Sequence, residues 1–311
     1  MKPKLIFIVG PTAVGKTDIA FILAKILKTE IVSCDAMQVY KEFSLLTARP
    51  SSKILKAIKH HLVGVVSVKE NCDVFSFRKR VLSIIAGMER KKKIPLIVGG
   101  SGLYMSILLD GIFKEEQGGR HLAIRKKIEE EISRLGAEVV YERLKAVDPL
   151  SAAKIHVHDT RRMIRALEVF EIYGKPISEL HRERQGLWES HDVKVFALSM
   201  KREDLYARIN HRVDTIFDQG VVQEVKKIQN KEISQTASGI IGLKEIQLFL
   251  DGVLTQEQVK EEIKKNTRHY AKRQLTWFRK DKRLTWIDRG PSEDSREIAE
   301  RILKYTGEEH V

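Results

Sequence analysis

The amino-acid sequence predicts an α/β protein, in which a parallel sheet flanked by helices is interrupted by an all-helical insertion. Three observations support this fold class. Near the start, a short apolar run leads into a glycine-rich loop and then into a helical pattern. Within 1–116 and again within 190–311, apolar strand-like runs alternate with helical patterns, as in parallel α/β sheets. Across 117–189 the strand-like runs disappear and charged helical patterns replace them.

The glycine-rich loop matches the phosphate-loop pattern G-x-x-x-x-G-K-[ST] at every fixed position. Its residues are Gly10, Pro11, Thr12, Ala13, Val14, Gly15, Lys16 and Thr17. It follows the apolar strand Leu5–Val9 and precedes the helical pattern Asp18–Leu27, so unpaired N–H groups and the helix dipole would attract phosphate oxygens. Lys16 would add a positive charge, and the Thr17 hydroxyl could bind Mg²⁺. We therefore expect a P-loop-type core that binds a diphosphate or a triphosphate such as ATP.

Two further strands are expected to end beside this loop. Glu30–Asp35 is a strand pattern that ends on a carboxylate, and ligands gather at the carboxyl ends of strands in open α/β sheets. Ile94–Val98 ends in paired glycines followed by Ser101, whose side chain could reach the same crevice. Glycines there permit close approach of backbone or ligand. A nucleotide hydrolase more often carries an acidic metal ligand at such a strand end, which argues against an ATPase.

Helical patterns fill the insertion. They cover Leu122–Leu135, Ala137–Ala146 and Thr160–Tyr173. In the last pattern, one face carries Met163, Leu167 and Phe170, another carries Arg161, Arg165 and Glu168, and Arg162 lies between them. The charged face is either an ordinary solvated surface with ion pairs or a binding surface for an anion.

The last third returns to strand character at Val193–Leu198 and then supplies many cations. Arg208 and Arg212 have near-helical spacing and could return to the phosphate site, because a guanidinium fork suits diphosphate oxygens, or they could be plain surface residues. The segment Asn266–Lys280 mixes Arg, Lys and His with aromatic residues. It could bind RNA through phosphates and stacked bases. It could also be an amphipathic helix that packs Tyr270, Gln274 and Trp277 inward.

Composition restricts the class of protein. The chain has 311 residues, 42% of them hydrophobic, and a formal charge of +14, which favours a polyanionic partner. Its two cysteines, Cys34 and Cys72, give neither a disulfide framework nor a zinc ligand set and suggest a reducing compartment. No apolar run approaches membrane-spanning length. We expect a cytoplasmic protein without a membrane partner.

Three functions remain open on the residues alone. A small-molecule kinase would use Asp35 to take a proton from an acceptor hydroxyl. A transferase would use diphosphate as the leaving group and transfer the carbon attached to it. An RNA-binding regulator would merely sense a nucleotide. The basic segment near the end favours a nucleic-acid partner and weakens the kinase hypothesis.

Several stretches together resemble one family, the tRNA dimethylallyltransferases (isopentenylpyrophosphate transferases), over nearly the whole chain. The stretches are Gly10–Thr17, Ser33–Tyr40 (S-x-D-S-x-Q-x-Y), Thr47–Pro50 (T-A-K-P), His60–Leu62 (H-H-L), Pro95–Tyr104 (P-x-x-V-G-G-[TS]-x-L-Y), Arg161–Phe170 (R-x-x-R-A-L-E-V) and Ala271–Arg279 (A-K-R-Q-x-T-W-x-R). Ala36 departs from the family pattern, because it replaces the usual serine beside Asp35.

The resemblance implies transfer of a dimethylallyl group from its diphosphate to the exocyclic N6 of the adenosine on the 3′ side of the anticodon, in tRNAs that read U-starting codons. Diphosphate would be bound by Gly10–Thr17, by Arg212 and by Arg208, with Mg²⁺ held through Thr17. Asp35 would be the general base, oriented by Ser101, while Lys16 and Arg212 would stabilise the leaving group. The acceptor adenine would be flipped out of its stack.

The resemblance also implies which residues contact the anticodon stem-loop of tRNA. Near the acceptor base these are Asp35, Ala36, Met37, Gln38 and Ser101. On the insertion they are Arg161, Arg162, Met163, Ile164 and Arg165, and near the end of the chain Lys272, Arg273, Gln274, Thr276, Trp277 and Arg279. We expect a monomer of the bacterial type.

Overall fold

The computed structural model describes residues 2–113 and 119–307. Its strands are β1 (Lys4–Val9), β2 (Ile31–Ser33), β3 (His60–His61), β4 (Leu96–Gly99), β5 (Asp192–Met200) and β6 (Thr285–Arg289). The helices before β5 are α1 (Lys16–Ile26), α2 (Ser52–Ala57), α3 (Val74–Arg90), α4 (Gly102–Asp110), α5 (Gly119–Leu135), α6 (Ala137–Val147), α7 (Pro149–Ala152), α8 (Thr160–Tyr173), α9 (Ile177–Leu180) and α10 (Leu187–Ser190). Those after it are α11 (Arg202–Asp218), α12 (Val221–Lys226), α13 (Leu243–Leu250), α14 (Gln256–Phe278) and α15 (Ser295–Thr306).

The six strands form one parallel sheet in the order β3-β2-β4-β1-β5-β6. The apolar strand β1 lies inside the sheet, where Ile6 pairs with Leu96 of β4 and with Lys194 of β5. A continuous apolar run suits this position, because both faces of a strand in a helix-covered parallel sheet are buried. The parallel sheet flanked by helices confirms the predicted fold class.

The sheet separates two apolar cores, and successive residues of β1 alternate between them because strand side chains point to opposite faces. Phe7 packs in one core with Phe77 and Val81 of α3. Ile8 packs in the other with Ile19 of α1 and Ile302 of α15. Because β1 runs parallel to β4 and β5, its carboxyl end and the glycine-rich loop that follows lie at the same edge of the sheet as the ends of those strands.

The chain divides into two compact units. One comprises Met1–Leu109 and Leu187–Val311, and the other comprises Asp110–Gly186. The predicted boundary between 116 and 117 lies outside the described residues, while the predicted return to the core at 190 falls a few residues after Gly186. Within the described parts of the chain, no helix is long and apolar enough to cross a membrane.

The second unit is helical throughout its described secondary structure and has its own core. Helix α8 contributes Met163, Ile164 and Leu167 to that core, whereas Phe170 is only partly buried. The resemblance implies that Met163 and Ile164 contact tRNA, and this stays a prediction; in the structure their side chains lie among apolar neighbours. Glu168 is also buried and not part of a solvated face.

Candidate active site

A cavity of about 360 Å³ opens at the carboxyl ends of β1, β2 and β4, the edge of the sheet where the sequence predicts a site. One part of its lining is polar and includes the Gly10–Thr17 loop, Asp35 and two arginines of α11, together with Arg273 and Gln274 of α14. Another part of its lining is apolar. The cavity thus brings together the loop, the carboxylate and the arginines that are far apart in sequence.

The Gly10–Thr17 loop leaves backbone donors for an anion. The N–H groups of Ala13, Val14 and Gly15 have no acceptor among the described residues. Ala13 and Gly15 adopt positive φ angles of 67° and 99°, which turn successive peptide units of the loop. Lys16 opens α1 immediately afterwards. The arrangement is the one expected of an anion-binding loop, in which free N–H groups meet the positive end of a helix.

The Lys16 side chain lies against the start of this loop. Its Nζ donates to the carbonyl oxygens of Gly10 and Pro11 at 2.9 and 2.7 Å. Removal of water around the ammonium lowers the pKa of Lys16 to about 8, an effect opposed by Asp35 and increased by Arg212. An anion in the cavity would stabilise the charged form of this lysine.

Arg208 and Arg212 lie one turn apart on α11, and both side chains reach the Gly10–Thr17 loop. Arg208 Nε donates to the Ala13 carbonyl at 2.9 Å, and Arg212 Nη1 donates to Thr12 Oγ1 at 3.1 Å. Burial lowers the pKa of Arg212, and the neighbouring charge of Arg208 lowers it further. Two adjacent guanidinium groups beside free N–H donors are a strong attraction for a multiply charged anion.

Asp35 lines the same cavity, as the strand-end argument predicted. Its Oδ1 accepts hydrogen bonds from the N–H groups of Met37 and Gln38 at 2.9 and 3.3 Å, so the carboxylate closes a tight turn. The turn forms without the usual serine at position 36. Gln38 is held in turn by the carbonyl oxygens of Thr47 and Ala48. Its Oδ2 has no hydrogen-bond partner among residues 2–113 and 119–307 and is available to a proton donor in the cavity.

The glycines after β4 make room for neighbouring backbone and side chains. A Cβ on Gly99 would lie 1.9 Å from the Cys34 carbonyl oxygen, and one on Gly100 would lie 2.2 Å from Gln274 Nε2. The expected close approach is therefore confirmed, and it comes from protein atoms. Ser101 Oγ accepts from the Tyr104 N–H at 3.3 Å at the start of α4.

Helix α14 is amphipathic, with a different inward face from the one expected. Gln274 is buried, Tyr270 is partly buried, and Trp277 is 39% exposed, so the inward packing of Trp277 is wrong. Phe278 is buried in its place. The cations Lys272, Arg273 and Arg279 and the hydroxyl of Thr276 are all exposed. The indole ring of Trp277 packs against Gly102, where a Cβ would lie 2.3 Å from the ring. The rest of the ring faces solvent.

The apolar wall of the cavity was not anticipated from the sequence. It is formed by Leu45, Leu46, Val213, Ile216, Ile240, Ile241 and Ile263. These residues come from four separate segments, so no local periodicity could assemble them. The wall gives the cavity a second chemical character, because it suits a hydrocarbon group next to a site for an anion.

Two charged residues that support the site were also missed. The Glu224 carboxylate accepts from the N–H groups of Ser44, Leu45 and Leu46 at 2.6 to 2.9 Å and so fixes part of the apolar wall. Arg289, the last residue of β6, donates to the Val14 carbonyl at 3.2 Å. An arginine at the carboxyl end of a strand was a usable sequence signal for the second.

The side chains around the cavity limit how a metal ion could be held. Among the described residues, no cluster of three or more His, Cys, Asp or Glu could hold one. Thr17 lines the cavity beside Asp18. A single hydroxyl fits Mg²⁺ only when the ligand and water supply the other oxygens, which is how Mg²⁺ commonly binds phosphates.

On the helical unit, Arg161 and Arg162 are exposed at the start of α8. Arg162 lies 3.4 Å from Asp159, and Arg165 lies 3.4 Å from the buried Glu168. Glu168 also meets His121 at 3.3 Å. Arg165 and Arg162 are thus each in an ion pair within the unit, although Arg161 and Arg162 are exposed to solvent.

The chain is similar to known proteins over nearly its whole length. The family model described as IPP transferase matches residues 38–281. The tRNA dimethylallyltransferases of Geobacter sulfurreducens and Bacillus subtilis are each 38% identical to the chain, over 308 and 295 residues. The alignments cover 98% of both chains in the first case, and 94% of this chain and 93% of the relative in the second.

Solved structures show the same relationship. The tRNA isopentenylpyrophosphate transferase of Bacillus halodurans is 33% identical, with a TM-score of 0.71 over 98% of this chain and 96% of that one. A eukaryotic dimethylallyltransferase captured acting on tRNA is 27% identical, with a TM-score of 0.81 over 99% of this chain and 81% of that one. The chain therefore belongs to the IPP transferase family of enzymes, the family of the tRNA dimethylallyltransferases.

Proposed function

We propose that this protein transfers a dimethylallyl group from dimethylallyl diphosphate to the exocyclic N6 of an adenosine in tRNA. The acceptor is the adenosine on the 3′ side of the anticodon in tRNAs that read U-starting codons. One observation carries the proposal: a single cavity joins a cationic loop, an apolar wall and a carboxylate. Membership of the IPP transferase family and the whole-length similarity to tRNA dimethylallyltransferases support it.

The diphosphate would occupy the polar side of the cavity. The free N–H groups of Gly10–Thr17, Lys16 and Arg212 would surround its oxygens, with Arg208 nearby. Breaking the allylic C–O bond leaves negative charge on diphosphate and positive charge on the allyl group. Donors already aimed at the diphosphate stabilise that separation without moving at the moment of reaction.

Mg²⁺ bound to the diphosphate would be held by the Thr17 hydroxyl and would neutralise part of the leaving-group charge. The dimethylallyl group would lie along the apolar wall. Because the wall removes hydrocarbon from water and supplies no nucleophile, it would also protect the developing allyl cation from hydrolysis.

The acceptor adenine would enter as a flipped base, with its amine between the allyl carbon and Asp35. The N6–C bond forms as the C–O bond breaks, and the nitrogen loses a proton to the free oxygen of Asp35. The products are the modified adenosine, diphosphate and that proton. Ser101, whose oxygen already accepts from Tyr104, would donate its hydroxyl hydrogen to Asp35 or orient the amine.

Exposed cations would bind the anticodon stem-loop. On the helical unit these are Arg161 and Arg162. On α14 they are Lys272 and Arg273, and Arg279 follows directly after that helix. Trp277 and Thr276 offer a stacking surface and a hydroxyl beside them, while Met37, Gln38 and Gln274 line the cavity itself. A net charge of +14 supports a polyanionic partner, and a tRNA substrate suggests action in the cytoplasm.

The direct test incubates the protein with unmodified tRNA, Mg²⁺ and dimethylallyl diphosphate, followed by nuclease digestion and mass analysis of nucleosides and oligonucleotides. We expect an adenosine heavier by one dimethylallyl unit, located 3′ to the anticodon and confined to tRNAs for U-starting codons. A matched incubation with ATP and the same acceptor tests phosphoryl transfer. Phosphorylated product would support a kinase, and tight RNA binding without any turnover would support a regulator.

A further inference from the structure

Three cationic side chains bind the carbonyl oxygens of the Gly10–Thr17 loop. Lys16 donates hydrogen bonds to the carbonyl oxygens of Gly10 and Pro11. Arg208 donates to the carbonyl oxygen of Ala13 at 2.9 Å, and Arg289 donates to that of Val14 at 3.2 Å. The first two cations were expected at this loop. Arg289 comes from β6, at the far edge of the sheet order.

In a planar peptide, the hydrogen bond that fixes the carbonyl group also fixes the direction of the N–H of the following residue. In a trans peptide the C=O of one residue and the N–H of the next point in opposite directions, and no described peptide bond is cis. Arg289 on the Val14 carbonyl therefore directs the Gly15 N–H to the opposite side. That N–H has no acceptor among the described residues, so it is available to an anion.

Arg289 is itself firmly placed. Its side chain is 8% exposed, and its Nη2 donates to the Glu293 carbonyl at 3.2 Å and to Ser295 Oγ at 3.3 Å. Its buried Nε finds no acceptor in the described part of the chain. A Cβ on Gly15 would lie 1.8 Å from Arg289 Nη1, so the guanidinium packs directly against the loop.

Burying the positive charge of Arg289 costs free energy, and an interaction with an anion at the loop would offset that cost. Burial lowers the pKa of Arg289, Arg208 lowers it further, and the carboxylates of Asp18, Glu293 and Asp294 oppose the shift. Among the described residues, no carboxylate forms an ion pair with its guanidinium, whose acceptors are two carbonyl oxygens and one hydroxyl. Because its hydrogen bonds go to neutral oxygens, the charge of Arg289 can still attract an anion at the loop.

We propose that Arg289 is a positioning residue of the diphosphate site. It holds the Val14–Gly15 peptide with its N–H toward the cavity, and it places a buried positive charge behind the loop. The identity of the anion rests on the proposed function, whereas the orientation of the peptide does not. Arg289 acts through Gly15 and does not need to touch the substrate.

The first experiment measures the dissociation constant of inorganic pyrophosphate by calorimetry for wild type and Arg289→Met. We expect it to rise about tenfold, the loss typical of a charge-assisted hydrogen bond network, with tRNA affinity unchanged. Arg296→Met, which removes an exposed arginine of α15 paired with Glu300, is the matched control and should leave both constants unchanged. A folded Arg289→Met protein that is only less stable, with wild-type pyrophosphate affinity, overturns the proposal.

The second experiment needs no ligand. In ¹⁵N-labelled protein the Gly15 amide resonance should shift and broaden in Arg289→Met and, to a smaller degree, in Ser295→Ala, which loosens the guanidinium without removing it. If Arg289→Met does not fold, Ser295→Ala and Arg289→Lys decide the matter. Absence of pyrophosphate binding by wild type would refute the proposed function alone, because the Gly15 resonance still tests the positioning role. An unchanged Gly15 resonance in folded variants refutes that role.

Discussion

The Gln274 side chain forms hydrogen bonds to Thr12 and to Gly100, which lie in two different loops of the site. Its Oε1 accepts from the Thr12 N–H at 2.8 Å, and its Nε2 donates to the Gly100 carbonyl at 2.9 Å. The amide orientation follows from chemistry, since only its oxygen can accept and only its nitrogen can donate. A buried residue of α14 thus links the Gly10–Thr17 loop to the turn after β4.

Gln274→Met keeps the volume of the side chain and removes both hydrogen bonds. Because the Gly100 carbonyl loses a buried donor, we expect about 1–3 kcal/mol of destabilisation and a Tm lower by several degrees. The KM for dimethylallyl diphosphate should rise as the loop loosens. Gln256→Met, an exposed position on the same helix, is the control. Equal melting temperatures for the two variants would contradict this account.

Asp35→Asn preserves the oxygen that accepts from Met37 and Gln38 but cannot take a proton. We expect kcat to fall by roughly 100- to 10,000-fold, the usual contribution of general-base catalysis, with tRNA affinity within about twofold of wild type. Single-turnover transfer and filter binding measure the two quantities. Ala36→Ser, which restores the family serine, should retain activity. Turnover at the wild-type rate in Asp35→Asn would remove this carboxylate from the mechanism.

The affinity for pyrophosphate should depend on pH through Lys16. Its pKa is lowered to about 8, so the free protein loses this positive charge as pH rises through 8. The unfolded chain holds the proton up to its ordinary value of 10.5, so between these values Lys16 makes folding more favourable as pH rises, while anion binding weakens.

The measurement is the pyrophosphate dissociation constant of wild type divided by that of Lys16→Arg at each pH from 7 to about 9. The ratio cancels the ionisation of the ligand, since arginine stays charged throughout. We expect the ratio to rise about tenfold over this range. A constant ratio would show that Lys16 stays protonated or does not contact the anion.

Glu224→Gln removes the negative charge that gathers three backbone N–H groups of the 44–46 turn. An amide cannot accept all of these bonds, and its own N–H₂ would face donors, so the turn should loosen. Because Leu45 and Leu46 form part of the apolar wall, we expect a several-fold higher KM for dimethylallyl diphosphate and a Tm lower by a few degrees. Glu232→Gln, at an exposed position, should change neither.

Binding of tRNA should weaken steeply with salt, because each neutralised phosphate releases counterions. The double variant Arg161→Ala/Arg162→Ala should reduce the slope of log Kd against log salt concentration by roughly one to two. The control is the double variant Arg125→Ala/Lys126→Ala on α5, which removes the same amount of charge from two residues that are paired with Glu129 and Glu130. An equal loss of slope in both would show a general charge effect without a specific contact.

Much of the site could be predicted because its chemistry follows the ends of strands. Asp35 and the Gly10–Thr17 loop each follow a local apolar run, and parallel strands bring such ends to one edge. Arg208 and Arg212 could be proposed from spacing alone, although spacing did not tell a functional face from plain surface. The amphipathic pattern of Asn266–Lys280 wrongly placed Trp277 inward, and the resemblance could not show that Met163 and Ile164 lie in the core of the helical unit. In both cases the packing partners of a helix are set by distant segments and not by its own residues.

By itself, the sequence determined the parallel α/β core, the helical insertion, the anion loop and the carboxylate beside it, since each rests on residues close together in the chain. Only the tertiary structure decided the apolar wall, the Gln274 bridge, the Glu224 clamp on the 44–46 turn and the place of Arg289 behind the loop. These features join segments up to 275 residues apart, as Arg289 and Val14 are. Packing of the two sheet faces sets such contacts, and no local pattern encodes them.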